Sequence, residues 1–349
     1  MSARAFLAAF AIALLAPAAH AQVLVREFVY ETAPYPQAHA STIVETSAGT
    51  LAAAWFGGTR ERDPDVCIYF ARQLGDIWQT PVKVADGVQP DGTRLPTWNP
   101  VLFQPKDGPL MLFYKVGPNP REWWGMVATS SDDGRSWSKP RRLPDGILGP
   151  IKNKPVTLAD GSWLAPSSTE REGDVWALHF ERSADKGASW TATPPVASPL
   201  HIDAIQPSIL FHKDGSLEAV ARTRQGVLAM TWSKDDGKSW SPLAAIDLPN
   251  PNSGADAVTL ADGRQLLVYN HSAHAADRPG KGPRYPINVA LSDDGVRWRS
   301  VLVLESEPLP DGYAYPAVIQ TRDGLVHITY TWNRRRIRHI VLDPKKLEP

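Results

Sequence analysis

The chain has 349 residues, with 37 Lys plus Arg against 37 Asp plus Glu, a formal net charge of zero, and 32 Pro and 25 Gly. That balance leaves no basic surplus for nucleic acid or an anionic membrane, and no linker-like or charged block divides the chain, so one domain is expected. A single cysteine, Cys67, excludes an intramolecular disulfide, and its neighbours Val66, Ile68, Tyr69 and Phe70 mark it as a buried strand thiol.

In chain order, residues 1–21 read as a secretory leader: Arg4, an apolar run over 5–15 too short to span a bilayer, then Ala19-His20-Ala21 as a cleavage site. The mature domain is expected at 22–349, periplasmic or secreted, monomeric, and without a membrane span. Residues 23–30 form a β-rich run. Beyond it, turn-forming pairs recur between β-rich runs: Asp107-Gly108, Asp160-Gly161, Asp214-Gly215, Asp262-Gly263 and Asp323-Gly324, with Ala48-Gly49 as a weaker first member.

A second repeat interleaves with the first. Asp-x-Gly-x-x-Trp occurs at 132–137, 185–190, 235–240 and 293–298, and a degenerate copy at 71–78 keeps Gly75 and Trp78. The Asp can cap backbone N–H groups, the Gly admits positive φ, and the Trp can anchor the turn on a sheet. Each unit then reads strand, hairpin, strand, loop, strand, Trp turn, strand. Six such units predict an all-β fold, a six-bladed β-propeller of four-stranded antiparallel blades. The sixth unit reaches a third strand at 337–342 and runs out of chain, so its fourth strand is expected from 23–30.

This topology sorts residues by face. Hairpins and Trp turns share one end of each blade, so the starts of the first strands and the loops after the second strands share the other. The starts hold His39, Asn99, Lys152-Asn153-Lys154, Gln206, Asp256, and Tyr313 with Tyr315. The loops hold residues 60–65, Lys115, residues 167–170, Arg222 with Arg224, Asn270-His271, and Trp332 with Arg334. This polar ring is the expected functional face.

Arg60, Arg222, Arg224, Arg284, Lys115 and Lys154 would favour an anion, above all a carboxylate, which Arg grips through paired donors. Either Arg222 or Arg224 can equally be a structural ion-pair partner. Asn153, Gln206, Asp256 and Tyr315 complete the candidate binding set. Glu61, Asp63 and Asp65 are candidate proton donors, Asp65 being equally placed for a backbone cap. Tyr313 and Tyr315 can each supply a nucleophile or a proton, given a neighbouring base or cation, or can simply pack. The basic run at 334–338 suits either a solvated strand edge or an anion-binding face. The histidines show no metal-ligand spacing, so chemistry without metal or cofactor on an acidic small molecule or glycan is expected.

The Trp turns, six blades and central Arg/Tyr set resemble the sialidase (neuraminidase) superfamily, whose repeats are called Asp-boxes or BNR repeats. Residues 55–60, 149–155 and 315–320 look like a bacterial branch of sialidase-like proteins. The resemblance covers nearly the whole mature chain and implies an exported exo-acting glycoside hydrolase of carbohydrate metabolism. It implies Arg222 and Arg284 as second and third carboxylate-clamp arginines, Tyr313 as nucleophile, and Asp65 or Asp63 as acid/base. Two positions depart from the pattern. His39 stands where the first clamp arginine would be, and Gln206 where a Glu would assist the Tyr. Gln cannot accept a phenol proton, whereas His can act as a base. Two alternatives follow: a lyase or glycosidase acting on a uronic-acid-containing glycan with His39 or Tyr313 as base, and a glycan-binding propeller without turnover.

Overall fold

The structure, a computed structural model, describes residues 22–274, 278 and 280–348. The predicted leader lies outside these residues. Six antiparallel sheets follow one another along the chain. Blade 1 comprises Gln37–Glu45, Leu51–Gly58 and Cys67–Leu74, with Ile77–Trp78 and Val82–Ala85 both paired along the last of these. Blade 2 comprises Thr97–Phe103, Leu110–Val116, Trp124–Ser130 and Arg141–Arg142. Blade 3 comprises Val156–Thr157, Trp163–Arg171, Val175–Ser183 and Thr191–Ala192. Blade 4 comprises Ala204–Phe211, Leu217–Thr223, Val227–Ser233 and Ala244–Pro249. Blade 5 comprises Asp256–Thr259, Gln265–Asn270, Ile287–Ser292 and Arg299–Glu305. Blade 6 comprises Tyr313–Gln320, Val326–Trp332 and Arg336–Leu342, and its outer strand is Val23–Phe28. The N-terminal strand therefore closes the ring, as the sequence predicts.

The core is distributed between blades. Ile68 and Phe70 of blade 1 pack with Leu102 and Leu112 of blade 2. Leu164 and Phe180 of blade 3 meet Ile209 and Ala219 of blade 4, and Val268 and Val289 of blade 5 meet Val318 and Ile328 of blade 6. Alternation along each strand buries both faces of these sheets, and each fully buried Leu, Ile or Phe contributes about 1.5–3 kcal/mol. No helix among the described residues is long and apolar enough to cross a membrane.

The Asp-box turns stitch neighbouring blades together. In the first, Asp132 accepts the Ser136 N–H at 2.8 Å and its hydroxyl at 2.6 Å, while Ser130 Oγ accepts the Gly134 N–H at 2.8 Å. These donors hold the Asp132 carboxyl below the usual range, the Ser136 hydroxyl first. Trp137 then meets Phe70 of blade 1 edge-on, and Trp240 stacks on Phe180 of blade 3 at 3.8 Å. Each plug thus enters the preceding blade. The fourth copy is one residue tighter: Asp294, not Asp293, accepts the Val296 and Arg297 N–H groups.

Candidate functional site

Four first strands carry a bulge near their start. Register shifts fall between His39 and Thr42, Trp98 and Val101, Ile205 and Ser208, and Ala314 and Ala317. Within them Ala40, Asn99, Gln206 and Tyr315 all adopt positive φ, 37° to 60°. A non-Gly residue in that region costs of order 1 kcal/mol, and the bulge re-aims its side chain away from the ladder. Tyr315 and Gln206 are thereby turned toward the propeller axis.

Tyr315 is the hub. Its hydroxyl accepts a hydrogen bond from Arg222 Nη1 at 2.7 Å, and its ring lies 4.2 Å from that of His39. Lys152 Nζ and the Arg222 and Arg284 guanidinium carbons stand 5.6–5.7 Å from the ring centre. Arg222 is fixed from the sides by Asn252 Oδ1 at 2.9 Å and Gln206 Oε1 at 3.2 Å. Arg334 joins this group, paired with Glu61 at 2.7 Å.

The charges set the protonation states. Burial, and then Arg334, Arg284, Arg222 and Lys152, drive His39 well below its usual range, so its imidazole is neutral. Its Nδ1 shares a 2.9 Å hydrogen bond with Thr331 Oγ1. Arg284 is enclosed by protein on most sides but open to the cavity above it. That enclosure brings its guanidinium down to about 10, against the opposing effect of Tyr315.

Above the hub opens a cavity of about 960 Å³, lined by Arg62, Trp176, Arg222, Arg224, Asn252 and Arg284 among others. Trp176 lies under two guanidinium groups, Arg224 at 4.3 Å and Arg222 at 5.3 Å. Glu170, directly opposite Trp176 in the blade 3 hairpin, faces Arg222, Arg224, Arg121 and Arg62. Burial outweighs these four cations and raises its carboxyl above the usual range.

Other residues singled out by sequence fall elsewhere. Tyr313 is fully buried in the seam between blades 5 and 6, its hydroxyl donating to Glu307 O at 3.0 Å. Burial pushes its phenol up to about 12. Lys115 is also fully buried and donates to Pro150 O at 2.8 Å. Lys154 grips both Asp256 oxygens at 3.0 and 3.1 Å, and Asp256 also accepts from Ser208 Oγ and Val318 N. Asn153 donates to Gln206 O, Ser208 Oγ and Ala255 O. These groups tie blades together around the axis.

In the blade 1 loop, Asp65 is exposed and accepts the Thr59 N–H and hydroxyl at 2.9 and 2.8 Å, the capping role. Asp63 lies 3.4 Å from Arg60, which is largely exposed. The carboxyl from this loop that reaches the central cations is Glu61. Sequence reasoning named Glu61 as a candidate proton donor rather than as the partner of Arg334, and assigned no individual role to Arg62, Glu170, Trp176 or Asn252. Their convergence depends on hairpin register and loop path. Only the polar character of residues 60–65 and 167–170 signalled it.

A ring of Asp-box blades around a tyrosine-centred cluster of cations, with a cavity above it, defines a sialidase-like propeller. The chain belongs to the BNR repeat-like domain family, which matches residues 49–328. It is 24% identical over 235 residues to the anhydrosialidase of Macrobdella decora, covering 60% of this chain and 30% of that protein. It is 22% identical over 211 residues to a sialidase of Bacteroides fragilis, covering 52% of this chain and 37% of that protein. The chain thus spans about a third of the length of those two relatives. Among solved structures, a Hadza microbial sialidase superposes with a TM-score of 0.75 at 18% identity, over 90% of this chain and 67% of that one.

Proposed function

We propose that the protein is an exo-acting glycoside hydrolase of sialidase type that removes a terminal carboxylated sugar, a sialic acid or a related acid, from a glycan. The observation that carries this reading is the convergence of Arg222, Arg284 and Lys152 on the Tyr315 ring, beneath an open cavity. In this reading Arg222 and Arg284 hold the sugar carboxylate. Tyr315, rather than Tyr313, attacks the anomeric carbon, a choice supported by its hydroxyl facing the cations while that of Tyr313 is sequestered. With Gln206 unable to take the phenol proton, neutral His39 against the Tyr315 ring is the available base.

The neutral His39 also favours a second reading. Beside a carboxylate clamp, a neutral imidazole can withdraw the proton next to a uronate carboxyl and initiate elimination. Fluorogenic sialosides and uronosides, together with an acidic-glycan panel read by mass spectrometry, separate the two. Release of an intact acidic sugar supports hydrolysis. A product lighter by one water, with new far-ultraviolet absorbance, replaces hydrolysis by elimination. Binding without turnover at high protein concentration refutes both.

A further inference from the structure

We infer that Glu170, directly opposite the cavity-lining Trp176 in the blade 3 hairpin, is the proton donor to the departing glycosidic oxygen. The inference rests on the hydrolase reading above and assigns the acid that reading lacks.

Three observations support it. Glu170 and Trp176 are direct partners across the blade 3 hairpin, and directly opposed side chains in an antiparallel pair project to the same side. Trp176 lines the cavity, so Glu170 stands on the cavity side of its strand. Arg222 then bridges the two halves of the site, lying over the Trp176 ring on one side and donating to the Tyr315 hydroxyl on the other. A sugar held at Arg222 therefore lies between Tyr315 on one side and the Trp176 hairpin of blade 3 on the other. Finally, two carboxyls of the blade 1 loop are engaged, Asp65 by Thr59 and Glu61 by Arg334, and the third, Asp63, lies against the largely exposed Arg60.

The groups facing Glu170 are Arg62 from the blade 1 loop, Arg121 from the blade 2 loop, and Arg222 and Arg224 from the end of the second strand of blade 4. Four cations would by themselves keep a carboxyl ionised. Burial outweighs them and raises the carboxyl above its usual range, the direction a general acid needs. After donation the same cations steady the carboxylate until it is reprotonated.

The proton and electron count closes. In the first step the anomeric carbon–oxygen bond breaks, its electron pair remains on the leaving oxygen, and that oxygen takes the Glu170 proton. The Tyr315 oxygen bonds to the anomeric carbon and its proton passes by way of His39 to solvent, leaving the imidazole neutral. In the second step water adds to that carbon, its proton goes to the Glu170 carboxylate, and the Tyr315 oxygen departs and takes a proton back from solvent by way of His39.

The test compares Glu170→Gln with wild type on two substrates of the same acidic sugar, one with a natural sugar leaving group and one with an activated aryl leaving group. A leaving group that departs without help does not need the acid. The variant should lose about 100-fold or more in kcat/KM on the natural glycan, while losing less than about 10-fold on the aryl glycoside. The basic limb of the wild-type pH profile should flatten in the variant, and added azide should intercept the glycosyl group. Equal losses on both substrates with an unchanged pH profile would overturn the inference. An active wild type whose Glu170→Gln variant matches it on both substrates would do the same. Wild type that turns over neither substrate overturns the hydrolase reading and this inference with it.

Discussion

Tyr313 and Tyr315 are two residues apart, so simple strand alternation assigns them the same face. The bulge at Tyr315, with φ of 52°, breaks that rule and sends one phenol into the seam and the other to the axis. Single-sequence patterning carries no mark for such a bulge at a non-Gly residue, so alternation alone does not separate the two phenols. Tyr315→Phe should abolish turnover with little change in stability. Tyr313→Phe should leave turnover within a few-fold and cost about 1 kcal/mol, the worth of its hydrogen bond to Glu307 O. Steady-state kinetics and urea titration of the two variants check this, and reversed outcomes would return the nucleophile to Tyr313. Lys152 presents a different case. Its Nζ donates to Asn153 Oδ1, Ala255 O and Pro316 O, so one buried ammonium joins blades 3, 5 and 6. Burial brings it down to about 7, yet three acceptors use all three ammonium donors. Lys152→Met should therefore cost about 3 kcal/mol or more in a urea titration, because it strands three buried acceptors.

At the scale of elements, the repeats were legible because their chemistry is local. An Asp, a Gly and a Trp at fixed offsets specify a turn wherever they fall, and hairpin pairs between β-rich runs specify the strands around it. Blade 3 was harder to read, since its first strand shrinks to Val156–Thr157 while residues 151–153 bend around the axis. There the Lys152 and Asn153 bonds replace the ladder. What the repeat did not disclose is that its plug serves the neighbouring blade. Gly134 shows this directly: with φ of 82°, a Cβ there would lie 2.2 Å from Phe70 Cζ of blade 1. Gly215 has a similar φ of 85° but nothing within 4 Å of its Cβ position. Gly215→Ala should cost about 1 kcal/mol from backbone strain alone. Gly134→Ala adds overpacking of a buried ring and should cost roughly 3 kcal/mol. Chemical unfolding of the pair separates backbone from seam, and equal losses would contradict the stitching role.

For the whole molecule the decisive joint is where the first strand meets the last blade. Ring closure was readable from the chain running one strand short, but the polar network behind it was not, because its members are far apart in sequence. Glu27 of the closing strand accepts from Trp78 and Gln73 of blade 1 and contacts His339 at 2.8 Å. His339 in turn meets His327 at 3.0 Å, and these groups border a cavity of about 480 Å³ on the hairpin face. Burial, and then His339, bring His327 down to about 4. In the unfolded chain the same imidazole titrates near 6.5, so between about pH 6.5 and 4 the unfolded state binds a proton that the folded state refuses. The stability associated with His327 is thus complete above about pH 6.5 and is lost as pH falls toward 4. Glu27, held low chiefly by its hydrogen bond to His339, acts with the same sign at lower pH, its share being lost as its carboxylate is protonated. Replacing His327 with Gln removes the first of these losses but not the second. Urea midpoints measured from pH 7.5 to 4.5 should fall less steeply in His327→Gln than in wild type, by up to about 1.4 kcal/mol per pH unit. Parallel slopes in the two proteins would mean that acid opens the ring at some other seam.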